Sequence, residues 1–290
     1  MIYGAGVIGC LYAALFSQAG YDTTIYARGK RLEALKKGGL LYEQKGETHR
    51  ADVKIIEKLA DDDGFDYIFL TVKENQAHIA LKELNSNKSP NIVTMINTLE
   101  EYDKWERMCG MGRIIPAFPG AGGSFQGDIL KAALTPWVIQ PTTFAEIGGK
   151  KTKRLSELAL ILKKSGIPYQ IVKNMHEWQL CHLAMVVPIA DAYYIADNPK
   201  EVWRERKVMA ETAKQMKSNF RTLYHSGIHL SPWKMNLFRL MPVSVLKIGL
   251  TMIFKSDFGD MFMYQHSMNA PDEMEQLHLQ FYQYIQKPTM

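Results

Sequence analysis

The run Gly4-Ala5-Gly6-Val7-Ile8-Gly9 constrains this chain more than any other stretch. It fits the spacing Gly-x-Gly-x-x-Gly, and its flanks give that spacing meaning. Met1–Tyr3 reads as the end of a strand. A helix starts near Val7, covers Cys10 to Ala19 and is closed by Gly20, and Thr23–Ala27 reads as a second strand. In such a unit the first glycine makes the tight turn, the second lets a pyrophosphate approach the backbone, and the third lets the helix pack on the sheet. The helix start then presents unpaired N–H groups and a positive dipole end to phosphates. Gly4, Ala5, Gly6, Val7, Ile8 and Gly9 are the expected dinucleotide-binding loop. Only three residues precede Gly4, so the first strand is expected to be short or to continue residues before Met1.

The residue after the second strand bears on the choice of dinucleotide. NAD sites usually place a carboxylate there, on the ribose hydroxyls; here the sequence reads Arg28-Gly29-Lys30-Arg31. A carboxylate repels a 2′-phosphate, whereas a guanidinium binds it through paired charge-assisted bonds. Arg28 is the residue expected to select NADP(H), with Lys30 and Arg31 read as a solvated loop.

The 290 residues, 47% hydrophobic and 22% charged, suffice for two domains with sizeable cores. A net charge of +5 with scattered cations suits an anionic cofactor and argues against nucleic acid. Cys10, Cys109 and Cys181 lie far apart without metal-ligand spacing. They imply no metal site, no disulfide framework, and a reducing, cytoplasmic setting. The apolar stretch from Met235 to Phe254 is interrupted by Arg239, Pro242 and Lys247, so it reads as buried or interfacial helix and no membrane span is expected.

Strand and helix alternate up to about residue 172. Beyond the opening unit, Lys30–Lys37 reads as helix, and Leu40–Ile56 as a hairpin excursion around Gly46. Asp66–Val72, Asn91–Ile96, Arg113–Ala117, Trp137–Thr142 and Ile167–Val172 read as strands, with helices at Glu74–Leu84 and Thr152–Ser165. Helical patterns then follow one another: Met175–Asp191, Lys200–His225, Met241–Phe254 and Asp272–Ile285. The expected architecture is an α/β Rossmann-like N-terminal domain (1–172, NADP-binding) followed by an all-helical C-terminal domain (173–290, for substrate and dimerisation). The Met-rich apolar helices suit a homodimer.

This order of features resembles the ketopantoate reductases (2-dehydropantoate 2-reductases). The matches are Gly4, Gly6, Gly9 and Arg28, the strand Asp66–Val72 running into Lys73 with Gln76 after it, and Asn97 beyond the next strand. The resemblance covers residues 1–172 and thins out afterwards. It implies an NADP-dependent oxidoreductase that reduces a small-molecule carbonyl by hydride transfer. It also implies that Lys73 faces cofactor and substrate and that Asn97 contacts the nicotinamide end.

The departures concern the second domain. The family's opening helix there carries a Lys and two Asn at intervals of four, on one face. Aligned on Pro188, those positions are Gln179, Leu183 and Val187; aligned on Trp178, they are Leu180, Ala184 and Pro188. Neither register supplies the Lys. Gln179 can donate a hydrogen bond but no proton, which leaves His182 or Lys73 as proton donor, or none. The resemblance further implies a substrate-binding role for Ser256 and Asp260, four residues apart. A later family Glu maps to Glu273, which also reads as part of an ordinary helix start. With the polar positions replaced, a carbonyl compound other than ketopantoate is expected, 2-keto acid-like or less polar. The alternative is a catalytically silent NADP-binding redox sensor or partner-regulating protein.

Overall fold

A computed structural model describes residues 1–286, which divide into two compact units, Met1–Met175 and the chain from His176 onward. In the first unit the chain runs β1 (Ile2–Tyr3), α1 (Val7–Gln18), β2 (Thr24–Tyr26), α2 (Gly29–Gly38), β3 (Leu40–Gln44), β4 (Glu47–Ala51) and β5 (Lys54–Ile56). It continues through β6 (Ile68–Leu70), α3 (Glu74–Glu83), β7 (Ile92–Met95), α4 (Tyr102–Cys109), β8 (Ile114–Phe118), β9 (Ala121–Gln126) and β10 (Ile129–Leu134). β11 (Thr142–Phe144), α5 (Lys153–Lys164) and β12 (Tyr169–Ile171) complete it.

Eight strands form the main sheet in the order β12-β11-β8-β7-β6-β1-β2-β5. From β5 to β8 all neighbours are parallel; β11 runs antiparallel to β8, and β12 parallel to β11. The order reverses between β1 and β6, the place where open α/β sheets bind ligands beyond their strand ends. The strands at this point are buried on both faces, so Ile68-Phe69-Leu70 and Ile92 to Met95 are apolar or nearly so throughout.

A second, four-stranded sheet in the order β4-β3-β10-β9 goes beyond the expected hairpin excursion. Lys45 (φ 53°) and Gly46 (φ 83°) form the two-residue loop between β3 and β4, the arrangement that matches strand twist. Helix α1 touches β1 and β2 of the main sheet and β3, β4, β9 and β10 of the small one. Covered on two sides, it is apolar on two sides, with Cys10, Tyr12, Ala13, Ala14 and Phe16 buried. The expected strand at Trp137–Thr142 does not form. Pro136 and Pro141 bracket the run and remove ladder donors, so residues 137–139 make an exposed turn and only Thr142 enters β11.

The second unit is helical, which with the first gives the expected fold class. It contains α6 (Met175–Ile195), a 3₁₀ turn at Pro199–Arg204, α7 (Arg206–His225), α8 (Asn236–Leu240) and α9 (Val243–Phe254). Short turns α10 (Asp257–Gly259) and α11 (Gln265–Asn269) flank a π-helical turn, and α12 (Pro271–Gln286) follows. The expected helix over Lys200–His225 is broken at Glu205, whose ψ of 86° is not helical. Pro188 lies inside α6 and lacks the N–H that would reach the Ala184 carbonyl; the buried Asn219 side chain of α7 donates to that carbonyl instead (3.3 Å). Among the described residues no single helix is long and apolar enough to cross a membrane, and no three His, Cys, Asp or Glu side chains converge as metal ligands would.

Candidate active site

The glycine loop joins β1 to α1 at the point where the strand order reverses. Gly4 has φ 115°, and a Cβ there would lie 3.0 Å from the Thr71 carbonyl oxygen. Thr71, at the end of the neighbouring β6, holds the turn by donating its hydroxyl to the Gly4 carbonyl (2.9 Å). At Gly9 a Cβ would come within 2.0 Å of the Gly4 oxygen, a collision with backbone. At Gly6 it would meet nothing within 4 Å. Two glycines are thus required by the protein's own packing. The third, exposed and at the N-cap of α1, leaves an open backbone face over a helix start, which fits a pyrophosphate.

Arg28 stands one residue beyond Ala27, at the N-cap of α2, with its side chain half exposed. Its Nη1 lies 3.7 Å from Glu83 Oε2 at the end of α3, and its guanidinium lies 5.6 Å from the Tyr26 ring centre. Arg31 was expected to be solvated, yet it reaches the glycine loop. Its Nε donates to the Ala5 carbonyl (3.2 Å), and the guanidinium lies 3.9 Å above the Phe125 ring, with Asp128 3.9 Å from Nη1. No local signal marks this brace, because Phe125 and Asp128 come from the small sheet nearly 100 residues away.

Lys73 is exposed at the N-cap of α3, two residues past Thr71. Asn97 follows β7 and is buried (8% exposed), and its Oδ1 has no hydrogen-bond partner among the described residues. An orphaned buried amide oxygen costs free energy until something donates to it, so Asn97 fits the carboxamide of a nicotinamide. The segment after it is clamped. Thr98 Oγ1 accepts from the Glu100 N–H (3.0 Å), and the Glu100 carboxylate meets His78 and Lys104 at 2.5 Å and the Trp105 indole N–H at 2.6 Å. Partial burial raises the Glu100 pKa, but these donors outweigh it and hold the carboxyl at about 2.

The remaining expected site residues belong to the second unit. Gln179 and His182 lie three apart on α6, and both are buried (1% and 5% exposed). The His182 ring stacks on Trp178, with centroids 5.2 Å apart and planes 8° apart. Burial, reinforced by nearby His266, lowers its pKa to about 3. An imidazole held so low is neutral at physiological pH, which weighs against the expected general-acid role. Ser256 serves as the N-cap of α10, accepting from the Gly259 N–H (3.1 Å) and donating to the Ile253 carbonyl (2.6 Å), so its one hydroxyl proton is committed. Asp260 is exposed at the start of the π-helical turn, and Glu273 sits in the first turn of α12, behind Pro271.

Comparison with known proteins accords with this arrangement. Residues 1–128 match the family model for ketopantoate reductase PanE/ApbA. A 2-dehydropantoate 2-reductase of Archaeoglobus fulgidus is 41% identical over 83 residues, 29% of this chain and 26% of the relative. One from Mesorhizobium japonicum is 31% identical over 134 residues, 45% of this chain and 37% of the relative. The chain thus spans well under half the length of either. The fold extends further: a D-mandelate dehydrogenase solved with NADH superposes with a TM-score of 0.69 over 99% of this chain and 93% of its own, at 15% identity. Through its N-terminal 128 residues, the chain is similar to the ketopantoate reductases.

Proposed function

We propose that the protein is an NADP(H)-dependent oxidoreductase acting on CH–OH/C=O groups, which reduces a small 2-keto acid-like or less polar carbonyl substrate other than ketopantoate. The observation that carries this is the glycine loop: Gly4 and Gly9 are closed by backbone while Gly6 presents an open face at a helix start. When bound, the cofactor supplies the hydride. The backbone of residues 4–9 holds the pyrophosphate, and Arg28 meets the ribose 2′-phosphate. Asn97, held by the clamped segment after β7, orients the nicotinamide by accepting from its amide. Lys73 offers an ammonium group to the substrate's carboxylate or to the developing alkoxide. With His182 neutral, Lys73 is the better of the two proton donors weighed. Residues 1–172 act as the nucleotide domain and residues from 173 as the substrate domain. The apolar character of Leu183 and Val187, or of Leu180 and Ala184, argues against a substrate as polar as ketopantoate, which would leave its own groups unpaired.

The test is NADPH oxidation, followed by absorbance, across 2-keto acids including ketopantoate, keto esters and aldehydes. Steady turnover of a keto acid or ester with little on ketopantoate is expected. Rapid ketopantoate reduction would refute the substrate assignment. Tight NADPH binding with no turnover on any carbonyl would favour the redox-sensing alternative.

A further inference from the structure

The guanidinium expected to recognise the 2′-phosphate already has an anionic neighbour. Glu83 Oε2 lies 3.7 Å from Arg28 Nη1, and the carboxylate is anchored: the Tyr3 hydroxyl donates to Oε2 (2.5 Å) and the Tyr26 hydroxyl to Oε1 (2.7 Å). The two tyrosine rings are 4.5 Å apart, and Tyr3 is fully buried. Burial, followed by the hydrogen bond to Glu83, pushes the Tyr3 hydroxyl far above its ordinary range, so it stays a donor. Both tyrosines end the strands that flank the glycine loop, β1 and β2. Glu83 cannot swing away without breaking two hydrogen bonds, whereas Arg28, half exposed, keeps further N–H groups toward solvent.

A phosphate hydrogen-bonded to the other edge of that guanidinium would lie on the order of 6–8 Å from the Glu83 carboxylate, within the Debye length of physiological salt. A dianion is repelled at that distance; the uncharged 2′-hydroxyl of NADH is not, and a carboxylate can accept its bond. We propose that Glu83 is a cofactor-specificity residue. Reaching the adenosine end from α3 instead of from the end of β2, it restrains the NADPH preference that Arg28 confers and keeps NADH admissible. This rests on the nucleotide-binding assignment made above.

The experiment measures dissociation constants of NADPH and NADH on the full-length protein, by nucleotide fluorescence or calorimetry without substrate. Glu83→Gln is expected to tighten NADPH about tenfold while leaving NADH within about twofold, and the gain should shrink as salt screens the repulsion. An unchanged NADPH/NADH ratio would overturn the proposal. So would a weakened NADPH affinity, which would show that Glu83 merely orients Arg28. Should E83Q fold poorly, the variant Y3F/Y26F/E83M removes donors and acceptor together, leaves no buried hydroxyl unpaired, and must shift the ratio the same way. Wild-type protein that binds neither nucleotide would instead bring down the cofactor assignment itself. Binding of both, with a ratio indifferent to residue 83, would bring down only the role of Glu83.

Discussion

In the first unit the candidate site residues stand on loops at the carboxyl ends of parallel strands: Gly4–Gly9 after β1, Arg28 after β2, Lys73 after β6 and Asn97 after β7. In the second, Gln179 and His182 sit within a continuous helix and are nearly as buried as the core around them. Topology itself collects loop residues at one edge of a sheet, so their order along the chain announces the site. A helix offers no such edge. Which residues of α6 carry chemistry depends on face and register, and a shift of one residue exchanges Gln179 for Leu180.

The sharpest way to break this contrast lies within the glycine loop. Gly9→Val should cost about 3 kcal/mol or more in denaturant unfolding, since its Cβ meets the Gly4 carbonyl at 2.0 Å and only backbone can yield. Gly6→Ala should cost under about 1 kcal/mol yet weaken NADPH binding, since the added methyl points into open space where the pyrophosphate belongs. Equal stability losses at the two positions would show that Gly6 is structural as well. In the second unit, Asn219→Leu should destabilise by about 1–3 kcal/mol, because the Ala184 carbonyl opposite Pro188 loses its donor, while nucleotide affinity stays unchanged. Calorimetric unfolding beside a nucleotide titration checks both halves.

Smaller effects sharpen the comparison. Arg31→Ala should weaken NADPH and NADH alike, by about tenfold or about 1.4 kcal/mol, because it braces the loop common to both. A loss confined to NADPH would make Arg31 a phosphate ligand. The last effect emerges only in acid and concerns His182. With its folded pKa lowered to about 3, it favours the folded state above its ordinary range near 6.5, and that contribution is lost as pH falls toward 3. His182→Gln should flatten the decline of stability between about pH 6.5 and 4. The kcat profile should show no His182 ionisation near 6.5, and an inflection there that vanishes in the variant would restore it as an acid.

What the sequence reveals and what it hides follow the same division. The loop was legible because positive φ at Gly4 and backbone contact at Gly9 leave no other residue type. The apolar strands β6 and β7 were legible because burial on both faces removes any polar alternation. The small sheet was only half legible: Lys45-Gly46 declares its hairpin, but β10, which turns from β9 through Gly127-Asp128, joins β3 from nearly 90 residues away. At Trp137 the flanking prolines outweigh apolar content, and a run of large hydrophobics makes an exposed turn where its composition suggests a strand. Arg31 and Glu83 were hidden because each takes its role from partners that only the fold brings close, Phe125 for one and Tyr3 with Tyr26 for the other.

Because α1 is clasped between two sheets, the segment that would greet a dinucleotide is rigid before the ligand arrives. Packing of the helix on both sides reduces the ordering entropy to be spent there on capture. Encounter is then set by diffusion and by the attraction of a chain of net charge +5 for an anionic ligand, so association should be fast and sensitive to ionic strength, and differences between cofactors should show in how long each one stays.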